Sequence, residues 1–199
     1  MERLTPALEQ QGFYRLETKD NFVQDTPDYI NMFVLYTSYT LLPSLSVHAA
    51  VQAKAVEAVV SEQLGRRRPL MGEATIGQDI RPGGVFSWVL NGPEAIPAVN
   101  AKLLEAFAAA QTFFSEHNSI PQIAEHLLRR PVYPTRSQKL LACAFLMRDR
   151  TLLDDIKQRL EDEFPPNAFH TGIQTELSAF QDLYRKLAQA MDEGGSLYC

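Results

Sequence analysis

The sequence predicts an α+β protein: an antiparallel sheet of about five or six strands flanked by helices, followed by an all-helical C-terminal portion. Before about residue 93, short runs rich in aromatic and β-branched residues alternate with turn residues, as in an antiparallel sheet. After it, apolar residues recur at three- and four-residue intervals, the period of a helix. The chain therefore divides into a sheet-forming portion, 1–92, and a helical portion, 93–199, which we expect to form one continuous domain.

The first portion begins with a short amphipathic helix from Glu2 to Gln11, which Gly12 ends. The runs FYRLE and NFVQD follow on either side of residues 18–20 and predict a tight hairpin. The run at 29–39 is apolar on both alternating faces, which is typical of a strand in the middle of a sheet with its two sides covered.

The next strand, 45–51, alternates apolar and polar residues and is expected to be half exposed. A helix over 53–65 follows, and Gly65 is its expected C-terminal cap.

Five glycines in residues 72–95 could indicate a phosphate-binding loop or the turns of a hairpin. A P-loop requires a lysine and a hydroxyl residue directly after its second glycine, whereas Gln78 and Asp79 occupy those positions, and the aspartate would repel phosphate. Residues 72–80 and 85–92 instead have the composition of strands, and Arg-Pro-Gly-Gly between them has the composition of a turn. We predict a β-hairpin here and no nucleotide cofactor.

The helical portion starts with a long helix from Pro93 towards Asn118, whose apolar stripe is wide enough to cover a sheet. Four shorter helices are predicted at about 119–130, 135–147, 151–164 and 172–191.

At 199 residues the chain has the length of one large domain or two small ones. Its 45% hydrophobic and 22% charged residues are ordinary for a soluble globule. Two cysteines, Cys143 and Cys199, do not make a disulfide framework, and a reducing compartment suits them better. Because neither a signal peptide nor an apolar run of about 20 residues is present, we expect a cytoplasmic protein without a membrane partner.

The net charge of −5 is shared evenly between the two halves of the chain, so neither half has the clustered Lys and Arg that binding to a nucleic-acid backbone requires. We expect no nucleic acid as partner.

Four histidines are the candidates for acid–base chemistry. His48, on the polar side of its strand, could act as a general base, although a half-exposed structural histidine is the more frequent case. His117 lies at a helix end and suits a capping role. His126 and His170 have no second ligand at metal-binding spacing. We therefore assign no catalytic residue, no metal and no cofactor.

The charged residues of the helical portion are segregated along the chain. Residues 129–150 are strongly basic, and an acidic set follows directly: Asp154, Asp155, Glu161, Asp162 and Glu163. Such an arrangement can steer and orient a partner protein, but it can also be an ordinary helical surface. The basic run Arg66–Arg68 could hold an anion or be a solvated loop.

Gly12-Phe13, Phe22-Val23 and Trp88, in this order around the predicted strands, resemble an uncharacterised bacterial family of α+β proteins. Some members are similar to immunity proteins encoded beside contact-dependent or secreted antibacterial toxins. The resemblance implies a protein partner, such as a secreted or contact-dependent toxin, and supplies no catalytic residues.

Three functional hypotheses follow. The first is a non-catalytic binding protein, an immunity protein whose acidic set contacts a toxin. The second is a small hydrolase with a pocket between sheet and helices that uses His48 or His117. The third is an adaptor that docks through its last helix. We expect a monomer or a homodimer.

Overall fold

The computed structural model describes residues 4–16, 21–38, 43–63, 65, 74–84, 87–90, 92–165 and 174–194. Within these residues the chain forms a six-stranded antiparallel sheet and seven α-helices, five of them after residue 95. The predicted α+β fold class is confirmed. Two compact units are present: Met1–Gln52 with Ile76–Asn118, and Ala53–Thr75 with Ser119–Cys199. We call them unit 1 and unit 2.

The predicted boundary at residue 92 is the point where the composition changes. Units 1 and 2, by contrast, are defined by which residues contact each other. The long helix that follows residue 93 belongs to unit 1, and the helix that follows the fourth strand belongs to unit 2.

The sheet has the order β1-β2-β3-β4-β5, and β6 also pairs with β4. The strands are β1 Tyr14–Arg15, β2 Asn21–Asp25, β3 Tyr29–Ser38, β4 Ser44–Ala53, β5 Ile76–Ile80 and β6 Trp88–Val89. The hairpin predicted around residues 18–20 is confirmed, since Tyr14 pairs with Val23 and Arg15 with Phe22. Its turn, 17–20, lies outside the described residues.

Strand β3 is buried on both faces over most of its length, as predicted: Met32 and Val34 point one way, Phe33 and Leu35 the other, and all four are buried. Tyr36 was expected on a covered face and is 56% exposed instead. The apolar pattern therefore continues past the point where the strand leaves the core.

The hairpin predicted from residues 72–80 and 85–92 is wrong. Strands β5 and β6 both pair antiparallel with β4, β5 with Val47–Val51 and β6 with Ser44–Leu45. A 3₁₀ turn at Pro82–Gly84 lies between them, with Gly83 and Gly84 at positive φ. The turn was predicted correctly, but the strands before and after it both pair with β4 and not with each other.

In unit 1, helices α1 (Leu4–Gln10) and α3 (Ile96–Glu116) contact each other, and α3 packs on the sheet. Gly12 ends α1 at φ 78°, and the Phe13 N–H donates to Leu8 O at 3.0 Å, so the helix closes with its predicted glycine cap. Phe107 of α3 meets Phe13 and Phe33 edge to face, with ring centroids 5.5 Å apart in both pairs. These rings are the centre of the unit 1 core.

Unit 2 is helical, with α2 (Lys54–Gln63), α4 (Ile120–Leu128), α5 (Pro134–Leu146), α6 (Arg150–Glu163) and α7 (Gln174–Asp192). Helix α5 contacts each of the other four. Its sequence LLACAF, residues 140–145, is buried on all sides, as expected of a helix surrounded by others. In the described part of the chain, no helix is both long and apolar enough to cross a membrane.

Candidate functional site

The acidic set lies on α6, which Asp149 begins by accepting the Leu152 N–H at 2.9 Å. One face of this helix is buried through Leu153, Ile156 and Leu160. All five acidic side chains lie outside that face, so the structure brings the predicted residues together on one helix, but not on one side of it.

Asp154 and Glu161 are bound within the chain. Asp154 accepts the Tyr184 hydroxyl at 2.7 Å and the Arg150 Nε at 3.1 Å. The hydrogen bond from Tyr184, helped by Arg150, holds the pKa of the Asp154 carboxyl below its usual value. Glu161 pairs with Lys157 one turn before it, at 2.6 Å. Asp154 therefore connects α6 with α7, whereas the pair of Glu161 lies within α6.

Arg150 fixes α6 against α7. Besides Asp154, it donates to the Asp192 carboxylate at 2.7 Å and to the Ala188 carbonyl at 3.1 Å. A guanidinium that binds three groups on two helices links the helices. We call this contact the Arg150 clamp.

The other three acids face solvent. Asp155 and Asp162 are exposed and seven residues apart, so they lie above each other on α6, about 10 Å apart along its axis. Asp162 accepts the Gln158 side-chain amide at 2.8 Å. Glu163 is also exposed, and the exposed Arg159 lies within one turn of all three. The outer face of α6 thus carries three carboxylates with Arg159 among them.

Much of the preceding basic run serves the fold. Arg129 pairs with Glu125 in α4, and Arg136 donates to the Pro131 carbonyl at 2.6 Å. Lys139 binds Glu57, and Arg150 forms the clamp. The segregation of charge in the sequence is therefore weaker on the surface of unit 2. Arg66–Arg68 lie outside the described residues.

A buried polar cluster in unit 2 was not predicted. Glu57 of α2 is 2% exposed and accepts the Thr75 hydroxyl at 2.7 Å and the Lys139 ammonium at 3.1 Å. The Thr75 hydroxyl in turn accepts the Ala53 N–H at 2.9 Å. Glu57 occupies a position that the helical period assigns to the core. A glutamate at a core position was the signal that the sequence offered. No feature of the sequence indicated its partner Lys139, which lies 82 positions later.

His48 contacts a carboxylate. Its Nδ1 lies 3.1 Å from Asp79 Oδ1, on the neighbouring strand β5, and Arg81 lies 3.6 Å from the same carboxylate. The exposed Tyr36 ring meets the imidazole edge to face. The ring lies across Gly77, where a Cβ would overlap Nε2. The side chain is about a quarter exposed, so the group is an open site on the sheet.

Asp79 was missed as the partner of His48 because the predicted hairpin paired residues 72–80 with 85–92. In the observed register, Asp79 stands directly opposite His48. The remaining histidines have other roles. His117 ends α3 and binds the Phe113 carbonyl through Nδ1 at 2.7 Å, which agrees with the capping role. His126 is half-buried in α4, and His170 lies outside the described residues.

Cys143 lies within α5 and is fully buried. Burial, with the nearby Glu57 carboxylate, raises the pKa of its thiol to about 12, so it stays protonated at neutral pH. This agrees with the core role predicted for it. Cys199 lies outside the described residues.

Described residues of unit 1 form two pockets of ligand size. One, of about 260 Å³, is lined mainly by carboxamides, including Gln24, which donates to the Gln11 carbonyl at 2.7 Å and accepts from Asn31 at 2.9 Å. The other, of about 300 Å³, is apolar and lies between the sheet and α3. Neither His48 nor His117 lines either of them.

Among the described residues, no group of three or more His, Cys, Asp or Glu side chains is arranged to hold a metal ion. Comparison of the chain with protein-family models, curated proteins and solved structures gave no match.

Proposed function

We propose that this chain is a protein-binding module that recognises a basic partner through the outer face of α6. The observation that carries the proposal is the pair Asp155 and Asp162, exposed one above the other on a helix whose opposite face is buried through Leu153, Ile156 and Leu160. A rigid helix with charges in register loses little conformational entropy on binding. Carboxylates of this kind speed the encounter with a cationic surface.

We further propose that the partner is an antibacterial toxin, which the chain neutralises as an immunity protein. The family resemblance of Gly12-Phe13, Phe22-Val23 and Trp88 supports this narrower proposal, and the net charge of −5 is compatible with a basic partner.

The experiment begins by cross-linking the protein in its native cells, identifying the attached protein and purifying both. Association rates are then measured at low and high salt for the wild type, for Asp155→Lys/Asp162→Lys, and for a control, Glu94→Lys/Glu116→Lys. The control reverses two exposed charges of unit 1 and changes the net charge equally. We expect the α6 variant to associate at least about tenfold more slowly with less salt dependence, and the control to resemble the wild type.

Equal rates for the wild type and the α6 variant would place the binding surface elsewhere. The toxin proposal has its own test, because expression of the partner should stop growth and co-expression of the wild type should restore it. If the partner does not stop growth when it is expressed alone, the toxin proposal is rejected. The proposal of a protein-binding module is not affected by that result.

A second function is favoured by the His48–Asp79 pair. A carboxylate on Nδ1 orients an imidazole, as in hydrolases that use histidine as a general base. If the protein hydrolyses small esters, Asp79→Asn should lower kcat more than KM, and His48→Ala should abolish turnover. Turnover that persists at wild-type rate in His48→Ala rejects this function.

A further inference from the structure

The apolar pocket of unit 1 has walls from two strands, α3 and the chain after β6. Its lining residues are Leu35, Thr37, Leu45, Leu90, Ile96, Val99, Asn100 and Leu103. Leu35, Leu45 and Leu103 are almost fully buried and form its floor, whereas Ile96 is 55% exposed and stands at its edge. The pocket therefore has a closed apolar end and an open end at the first turn of α3.

The apolar walls of this space have no protein atoms packed against them. Protein interiors are packed as densely as organic crystals, and atoms that line an empty space lose their dispersion contacts. The volume of about 300 Å³ is at the lower end of the range for small-molecule sites. In an apolar pocket that is open to solvent, a ligand group that displaces poorly ordered water gains affinity.

The lining residues also define the polarity of the ligand. None of the eight carries a charge, so a charged group would lose its hydration without gaining a partner. Thr37 and Asn100 are the two polar residues of the lining, and both types can bond a hydroxyl or carbonyl group. The ligand that fits has an apolar body and one neutral polar group.

We propose that this pocket binds a small neutral amphiphile of about ten non-hydrogen atoms, such as a medium-chain alcohol, ester or lactone. The apolar chain occupies the end formed by Leu35, Leu45 and Leu103, and the neutral polar group lies near Thr37 or Asn100. This site is in unit 1, whereas the proposed partner surface is in unit 2, so the two proposals can fail separately.

The chain contains its own reporter. Trp88 is its single tryptophan, and it stands opposite Leu45 of the pocket floor in the β4–β6 register. Its buried indole N–H has no hydrogen-bond partner within the part of the chain that the structure describes. Because indole emission responds to the polarity around the ring, filling the pocket should change the fluorescence of Trp88.

The experiment compares octan-1-ol with octanoate, which have the same chain length and differ in charge. Binding is followed by Trp88 fluorescence and by calorimetry with the full chain. Octan-1-ol should bind saturably at one site, and octanoate should bind about tenfold more weakly or not at all at pH 7.5.

Substitutions that fill the pocket test its location. Val99→Phe and Ile96→Phe should each weaken octan-1-ol binding by roughly tenfold or more, because the new ring occupies the ligand space. Leu104→Phe is the matched control on the same helix, since Leu104 is 37% exposed and does not line the pocket. Ile96 stands at the exposed edge, so this variant is available if Val99→Phe does not fold.

Three results would overturn the proposal: no saturable binding of octan-1-ol, equal affinity for octanoate, or unchanged affinity in both filling variants. The Asp155→Lys/Asp162→Lys protein should bind octan-1-ol as the wild type does. Loss of partner binding with intact alcohol binding would therefore bear on the α6 surface alone.

Discussion

The thiol of Cys143 connects the packing of α5 with the pH dependence of stability. An unfolded chain releases this proton near pH 9, whereas the native thiol keeps it up to about pH 12. The contribution of Cys143 to the free energy of unfolding is therefore fully present below pH 9. Between about pH 9 and pH 12 it falls by about 1.4 kcal/mol per pH unit, because only the unfolded state has lost the proton.

Other groups also titrate in this range, so the wild type should be compared with Cys143→Ala. Urea unfolding at pH 8 and pH 10.5 should show the stability advantage of the wild type over Cys143→Ala shrinking as pH rises. A difference that stays constant between these pH values would mean that Cys143 does not ionise on unfolding.

Position 77 requires glycine because of the neighbouring His48 side chain, and not because of its backbone conformation. A Cβ at this position would overlap the His48 imidazole, and Gly77 is not among the glycines at positive φ. We expect Gly77→Ala to displace the ring from Asp79 and to cost about 0.5–1 kcal/mol of unfolding free energy, because the obstructing atom is the tip of a partly exposed side chain. In a His48→Ala background the same change should cost much less. Equal costs in both backgrounds would show that the ring is not the obstacle.

At the scale of elements, Lys139 joins α5 to α2 through a charge pair that is largely removed from water. Lys139→Met leaves the buried Glu57 carboxylate without its cation, and we expect a loss of about 3–5 kcal/mol. The double variant Glu57→Gln/Lys139→Met should recover part of it, since no isolated charge remains.

A matched control is Lys102→Met in α3, whose partner Glu105 lies 2.7 Å away in a pair that is about half exposed. It should cost less than about 1 kcal/mol. Chemical denaturation of the four proteins measures these values, and similar losses for Lys139→Met and Lys102→Met would contradict the importance of burial.

The sequence predicted individual elements well and their pairing less well, for a physical reason. Hydrophobic period and glycine or proline punctuation act over a few residues, so α1 with its Gly12 cap, the β1–β2 hairpin and the two-faced β3 were all identified. Pairing of β5 with β4 joins positions about 30 residues apart, and no local pattern encodes it.

The same limit applies to the candidate site. That Asp154 and Glu161 share a side of α6, and that each lies four residues after a cation, Arg150 and Lys157, follows from spacing alone. The hydrogen bond from Tyr184 to Asp154 depends on how α7 packs. The five acids could therefore be found as a group in the sequence. The tertiary structure was needed to separate Asp154 and Glu161, which are bonded within the chain, from the other three acids, which face solvent.

At the scale of the whole molecule, each unit has its own centre of burial. In unit 1 it includes Phe22 and Phe33 in the sheet, and in unit 2 it is the stretch Leu141–Ala144 of α5, all with no exposed surface. Backbone amides in such places exchange with solvent only through the largest openings of the structure. Hydrogen exchange should therefore show two separate slow segments, in β2–β3 and in α5, with faster exchange in α1 and β6.

Truncating each centre tests this assignment. Phe33→Ala should cost about 3–5 kcal/mol and Leu141→Ala about 2–5 kcal/mol, because each leaves a cavity in a fully buried position. The exposed Leu104→Ala on α3 should cost well under these values, since little of its contact is lost. Exchange in β3 should rise in Phe33→Ala, and exchange in α5 should rise in Leu141→Ala. Fast exchange of either segment in the wild type would show that its burial does not make it a stable centre.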